Sequence, residues 1–221
     1  MSKGLELTNM TAFDTSSSFE RALAASIGEV KGKECVRRLL GRYGSVASIM
    51  SGSIDDICKF GKINVNTALL IKLIGYVNSR RVTDAFEMNK AYTEIELREY
   101  LAALFLGASV ETVYALFLDD ANRIIGVEHI SEGTINTSDI VPRKLLELAK
   151  KKNSKRIIVA HNHPNGRAVP SKDDVVTTGR LVNVFGTVGV RIAGHYIVAD
   201  GEVARIESEM LYNPDYNGDT F

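Results

Sequence analysis

The sequence predicts a mixed α/β protein, a mixed sheet flanked by helices, preceded by a small all-helical domain. Three observations predict it. Residues 16–81 carry apolar side chains at helical spacing, with no alternating run among them. After residue 93 the texture changes to short apolar runs separated by turn residues and amphipathic stretches. The run Arg156-Ile157-Ile158-Val159-Ala160 is continuously apolar after its first residue, as in a strand covered on both faces.

The elements follow in order. A serine near Ser18 caps a first helix whose inner side holds Phe19, Leu23 and Ile27. A second helix over 33–43 turns Val36, Leu39 and Leu40 to one side and stops at Gly44. Two short helical pieces follow at 46–50 and 53–57. The second opens on Ser53 with Asp56 three residues on, a capping-box-like start. A longer helix over 65–81, with Ala68, Leu69, Ile71, Leu73 and Ile74 as its apolar positions, completes a helical domain at 1–82. Residues 83–92 are polar and weakly patterned and read as a linker, leaving 93–221 as the second domain.

That domain begins with a helix at 94–106 and a strand at 112–118. Asp119-Asp120-Ala121-Asn122 turns the chain into a strand over 123–128, extending toward Ser131. Ser138 and Asp139 start a helix with Pro142 in its first turn and Leu145, Leu146, Leu148 and Ala149 inward. Its end, Lys150-Lys151-Lys152, complements the helix dipole. After the strand at 156–160 comes a helix at 172–185. Residues 188–199 then pair with 203–206 across Asp200-Gly201, a hairpin signal.

Composition narrows the function classes. The 221 residues are 45% hydrophobic and 24% charged, the balance of an ordinary globular protein. No apolar run approaches the ~20 residues that cross a bilayer, and the N-terminus lacks a secretory core, so a cytoplasmic protein with no membrane partner is expected. Cys35 and Cys58 are too few for a disulfide framework and read as small buried apolar residues. The net charge of zero gives the whole molecule no electrostatic reason to coat DNA. Residues 1–90 hold 13 Lys/Arg against 9 Asp/Glu, a mild excess compatible with weak contact to nucleic acid. Nothing in the pattern sets an oligomeric state.

One stretch carries chemistry. His161-Asn162-His163-Pro164 follows directly on the buried strand. Alternate residues of a strand share a face, so His161 and His163 point the same way from one edge. Two imidazoles so placed can reach one ion at about 2.0–2.1 Å. Pro164 ends the pairing and Asn165-Gly166 begins a turn. The chain then enters a helix whose first turn holds Asp173 and Asp174. One carboxylate returned to the histidines gives three protein ligands and an open fourth position, the pattern of catalytic zinc. Ser171 with Asp174 is equally a helix-start signature. Asp173 is then expected to serve the helix N-terminus while Asp174 turns to the metal. His195, within a strand pattern, reads as a hydrogen-bonded structural histidine.

His161-x-His163-Pro164, with Ser171 eight residues on and Asp174 three further, resembles the JAMM/MPN+ metalloprotease signature. The longer form with Gly166 and Pro170-Ser171 is similar to the RadC branch of that superfamily. Phe117-Leu118-Asp119, Gly133-Thr134-Ile135-Asn136, Val141-Pro142-Arg143 and His195-Tyr196-Ile197-Val198 extend the resemblance over about residues 92–221. It implies a cytidine-deaminase-like JAMM/MPN fold with Zn(2+) on His161, His163 and Asp174. It also implies that Ser171 hydrogen-bonds the bound water or the developing oxyanion. A zinc-activated water would attack a carbonyl, and a glutamate on an early strand would shuttle the proton. Glu111 fits that position best, with Glu128 and Glu132 as alternatives. The implied activity is a metallopeptidase or isopeptidase acting on a peptide or protein substrate.

Residues 60–68 resemble the turn of a helix-hairpin-helix DNA-binding unit, in which a Gly-x-Gly turn offers backbone N–H groups to a phosphate. Here Lys62 and Asn64 occupy the two glycine positions. This motivates a second reading, a DNA-associated repair or processing protein whose helical half contacts nucleic acid. A third is a metal-stabilised interaction module without turnover.

Overall fold

The computed structural model describes residues 15–133, 137–164 and 166–211. The expected caps at Ser18, Ser138 and Asp139 concern side chains outside that description, and so does the turn residue Asn165. The chain divides into two compact units, Met1–Leu73 and Ile74–Phe221.

The first unit is helical: α1 (Thr15–Ile27), α2 (Glu29–Tyr43), α3 (Val46–Ser51), α4 (Ile54–Gly61) and the start of α5 (Val65–Asp84). Leu23, Leu39, Ile49, Ile57 and Ile71 are fully buried and form its core. Each such side chain contributes about 1.5–3 kcal/mol by leaving water. The second helix begins at Glu29, four residues earlier than the pattern suggests. Gly28, at φ 91°, breaks the chain direction in a single residue. Gly32 then lets α2 approach α1 closely, since a Cβ there would stand 2.6 Å from the Ala24 backbone nitrogen. Ser45 and Ser53 cap α3 and α4 by accepting from the Ser48 and Asp56 amides. Cys35 is buried as expected, whereas Cys58 is half-buried.

The second unit holds a six-stranded sheet in the order β1-β3-β2-β4-β5-β6. Its strands are β1 (Lys90–Ala91), β2 (Thr112–Leu118), β3 (Arg123–Glu132), β4 (Arg156–Asn162), β5 (Arg191–Ala199) and β6 (Glu202–Arg205). Only β4 and β5 run parallel, joined by α8 (Lys172–Thr187). Helix α6 (Glu94–Leu104) covers one face with Leu97 and Leu101 against Leu116, Leu118, Ile158 and Ala160. Leu145 and Ala149 of α7 (Thr137–Lys151), with Leu181 and Phe185 of α8, cover the other against Ala115, Phe117, Ile157 and Val159. The alternation of these two sets along β2 and β4 is the pleat itself. The mixed sheet between helices is the architecture that the sequence predicts.

Some boundaries differ. The stretch expected as a linker, 83–92, holds the end of α5 and the two-residue β1, whose Lys90 pairs with Ile124. Both β1 residues are exposed, so no apolar period marks them. Strand β4 runs two residues past Ala160 and takes in His161 and Asn162. Strand β5 starts at Arg191 because Val188 closes α8 and Gly189, at φ 72°, redirects the chain. A short α9 (Ser208–Leu211) follows β6. Among the described residues, no helix is long and apolar enough to cross a membrane.

Candidate metal centre

Two neighbouring elements build the site. Strand β4 brings His161 to the sheet's end, opposite Val113 of β2 and Ile197 of β5, on the face that α7 and α8 cover. Its ring is buried, at 3% exposure. His163 has left the strand, but its amide still donates to the Val198 carbonyl at 2.9 Å, so its backbone stays fixed. Ser171 is the N-cap of helix α8. The Ser171 hydroxyl accepts from the Asp174 amide at 3.1 Å, and Asp174 Oδ2 accepts from the Ser171 amide at 2.7 Å. Asp174 thus closes the cap that was expected of Asp173, which is exposed. A carboxylate at the third helical position reaches back over the helix start, and that motion also carries it to the histidines.

Three ligand atoms converge. His161 Nε2 and His163 Nε2 stand 3.0 Å apart. Asp174 Oδ1 is 3.1 Å from the first and Oδ2 is 3.3 Å from the second. A tetrahedron with bonds of about 2.0–2.1 Å has edges of about 3.3 Å, and one donor atom from each of the three residues lies within 4.8 Å of the others, close enough to share one small cation. His163 Nδ1 faces the Arg167 carbonyl at 3.2 Å. A carbonyl only accepts, so Nδ1 carries the proton and Nε2 presents its lone pair to the centre. His161, His163 and Asp174 are the described group with the geometry to hold a metal ion.

The electrostatics agree with a site that wants positive charge. The hydrogen bond to Asp174 raises the His163 pKa above the ordinary 6.5, against the opposing effect of burial. Burial pushes the Asp174 carboxyl up, but the polar contacts of both histidine rings and the hydrogen bond from Ser171 outweigh it and hold the group well below the usual carboxylate range. The anion persists there in a half-buried position. Such a site attracts a proton when nothing better is present, and a divalent cation competes for the same lone pairs.

A family model described as the RadC-like JAB domain matches residues 92–210, a span that begins just before α6 and contains the whole cluster. The chain belongs to the RadC family. A UPF0758 protein of Vibrio campbellii is 30% identical over 165 residues, 74% of each chain. One from Vibrio vulnificus is 31% identical over 166 residues, 75% of this chain and 74% of that one. One from Cellvibrio japonicus is 30% identical over 174 residues, 78% of each.

In this RadC chain the three glutamates have different surroundings. Glu111 lies just before β2, two residues from Val113, and its charge acts on His163. Glu128 is bound to Lys152 Nζ at 2.7 Å. Glu132 lines a cleft with Tyr114 and His129. Ser171 is placed beside the cluster, yet its hydroxyl proton goes to Asp174 Oδ2 at 2.6 Å. It therefore orients a carboxylate in this geometry.

Three further residues meet the site without having been singled out for it. His195 Nε2 lies 2.9 Å from His161 Nδ1, and His195 Nδ1 lies 2.5 Å from Thr178 Oγ1. Burial holds the His195 pKa down at about 3. Asn162, 4% exposed, accepts from the Thr112 amide at 2.8 Å and donates to the Val110 carbonyl at 3.1 Å. It brackets Glu111 on both sides. The spacing of Thr178, one helical turn after Asp174, was the available hint.

The α4–α5 hairpin has a different character. Lys62 adopts φ 54°, ψ 47° and closes α4 by donating its amide to Cys58. It thus takes the left-handed conformation of a glycine position. Asn64 is not left-handed; its Oδ1 accepts from the Thr67 amide at 2.9 Å and the Thr67 hydroxyl at 3.0 Å. The start of α5 is capped by its own chain.

Proposed function

We propose that this protein is a zinc-dependent hydrolase of the JAMM type, a metallopeptidase or isopeptidase acting on a peptide or protein. The observation that carries the proposal is the approach of two imidazole nitrogens and one carboxylate to 3.0–3.3 Å of one another at a sheet end. Two histidines and an aspartate are a donor set suited to zinc, and three ligands leave a fourth position for substrate chemistry. Membership in a family with a JAB domain agrees with this reading.

Zinc held there supplies a Lewis acid that polarises an amide carbonyl and makes a water acidic enough to react near neutral pH. The chain's own residues do the rest. His161, His163 and Asp174 hold the cation, and Ser171 keeps Asp174 turned toward it. Glu111 accepts a proton from the attacking water and returns it to the leaving nitrogen as the carbon–nitrogen bond breaks. The products are a carboxylic acid and an amine.

Zinc content measured on purified protein tests the site: about one ion per chain is expected, and none in His161→Ala or Asp174→Ala. The reaction is tested on a peptide library. Chelator-sensitive cleavage is expected in wild type, and Glu111→Gln should keep zinc while losing about 10²–10⁴ in rate. Wild-type protein that never retains zinc under any metal-replete preparation removes the proposal.

A further inference from the structure

The hydrogen bonds behind His161 lead away from the site, and they can be followed one proton at a time. Thr178 Oγ1 lies 2.6 Å from the Asp174 backbone carbonyl and 2.5 Å from His195 Nδ1. A hydroxyl has one proton, and the carbonyl can only accept, so that proton lies between Thr178 and Asp174. His195 Nδ1 must then be the donor to Thr178. A neutral His195 with its proton on Nδ1 has a bare Nε2. That nitrogen faces His161 Nδ1 at 2.9 Å, so His161 donates and its own proton sits on Nδ1. The remaining nitrogen, His161 Nε2, is bare and faces Asp174 and His163.

We infer that Thr178 and His195 are positioning residues that set the tautomer of His161, so that its Nε2 lone pair is presented to the metal. The relay is closed on itself: it starts at the backbone of Asp174, one ligand, and ends at the ring of His161, another. It is also well shielded, since Thr178, His195 and His161 are 3%, 6% and 3% exposed. A bare and a protonated nitrogen exchange roles in free imidazole at little cost, but here the exchange would leave buried groups unpaired along the whole chain. Partners of this kind typically change metal affinity by about 10–100-fold when removed.

This inference rests on the proposed zinc site for its consequence but not for its proton assignment, and the experiment separates the two. In metal-free wild type, ¹⁵N NMR of the imidazole rings is expected to show His195 protonated at Nδ1 and not at Nε2. Zinc affinity is measured on the full chain by competition with a chromophoric chelator. Thr178→Val, which keeps the shape and removes the hydroxyl, is expected to bind zinc about tenfold more weakly. Thr178→Ser should restore binding to within about twofold of wild type, and His195→Leu should lose about 10–100-fold. Metal-free unfolding midpoints confirm that each variant is folded, and Thr178→Val keeps the test alive if His195→Leu is not. His195 protonated at Nε2, or Thr178→Ser as weak as Thr178→Val, overturns the relay. Zinc binding absent from wild type with His195 protonated at Nδ1 sinks the hydrolase proposal alone.

Discussion

The turn from β4 into α8 and the hairpin from α4 into α5 solve one local problem in the same way. Each delivers the chain to a helix start, and each covers the free amides there with a side-chain oxygen: Asp174 behind Ser171, and Asn64 before Thr67. They differ in what is left over. An amide oxygen that caps a helix has no formal charge to share. A carboxylate has two oxygens and a charge: Asp174 Oδ2 serves the helix start and also faces His163, while Oδ1 faces His161. A cap can join a candidate metal group only where the neighbouring strand has already lined up partners for it.

The most severe way to break the comparison is to make the first region like the second. Asp174→Asn keeps a capping oxygen and removes the charge. Zinc affinities of about 10–16 kcal/mol shared over four ligands give about 3 kcal/mol each, so affinity should fall by about a hundredfold or more in a chelator competition. The metal-free melting temperature should move by only a few degrees. Unchanged zinc binding would mean that the carboxylate is a cap and nothing else.

A smaller effect is expected from nucleic acid. The hairpin keeps a left-handed residue at its first turn position, but the helix start behind it is occupied by Asn64. Short duplex DNA should therefore bind residues 1–90 weakly, through side-chain charge, and lose about tenfold or more in affinity between about 50 and 200 mM salt. Tight binding that survives such salt in a fluorescence titration would show that the hairpin is open to phosphate after all. Within the hairpin, Asn64→Ala should cost about 1 kcal/mol in denaturant unfolding, the ordinary value of a helix cap. Lys62→Gly should stabilise by about 0.5 kcal/mol, as relief of the left-handed side chain exceeds the added freedom of the unfolded glycine.

What could be read from the chain follows the range of the interactions. The His161–His163 pair was legible because strand alternation is a property of three consecutive residues. The return of a carboxylate from the helix start was legible for the same reason, though not that Asp174 would serve both ends while Asp173 faced solvent. His195 looked like an ordinary buried histidine because its partner lies 34 positions away on a parallel strand. Val159 pairs with His195, and no local pattern announces that register. Strand β1 escaped notice because two exposed residues have no period. Glu111 came from a resemblance, and its place near the end of β4 that carries His161 depends on the pairing of β2 with β4, which is not written in either strand alone.

Asn162 sits between the two histidines and hydrogen-bonds the backbone on either side of Glu111. One tripeptide therefore carries both clustered imidazoles and holds the backbone around Glu111. To shift the backbone at Glu111, a buried amide would have to abandon both partners, at about 1–3 kcal/mol for each group stranded. On the proposed hydrolase reading, the histidine pair and the backbone that carries Glu111 are tied to one buried amide, so their spacing would be set by the fold before any substrate arrived.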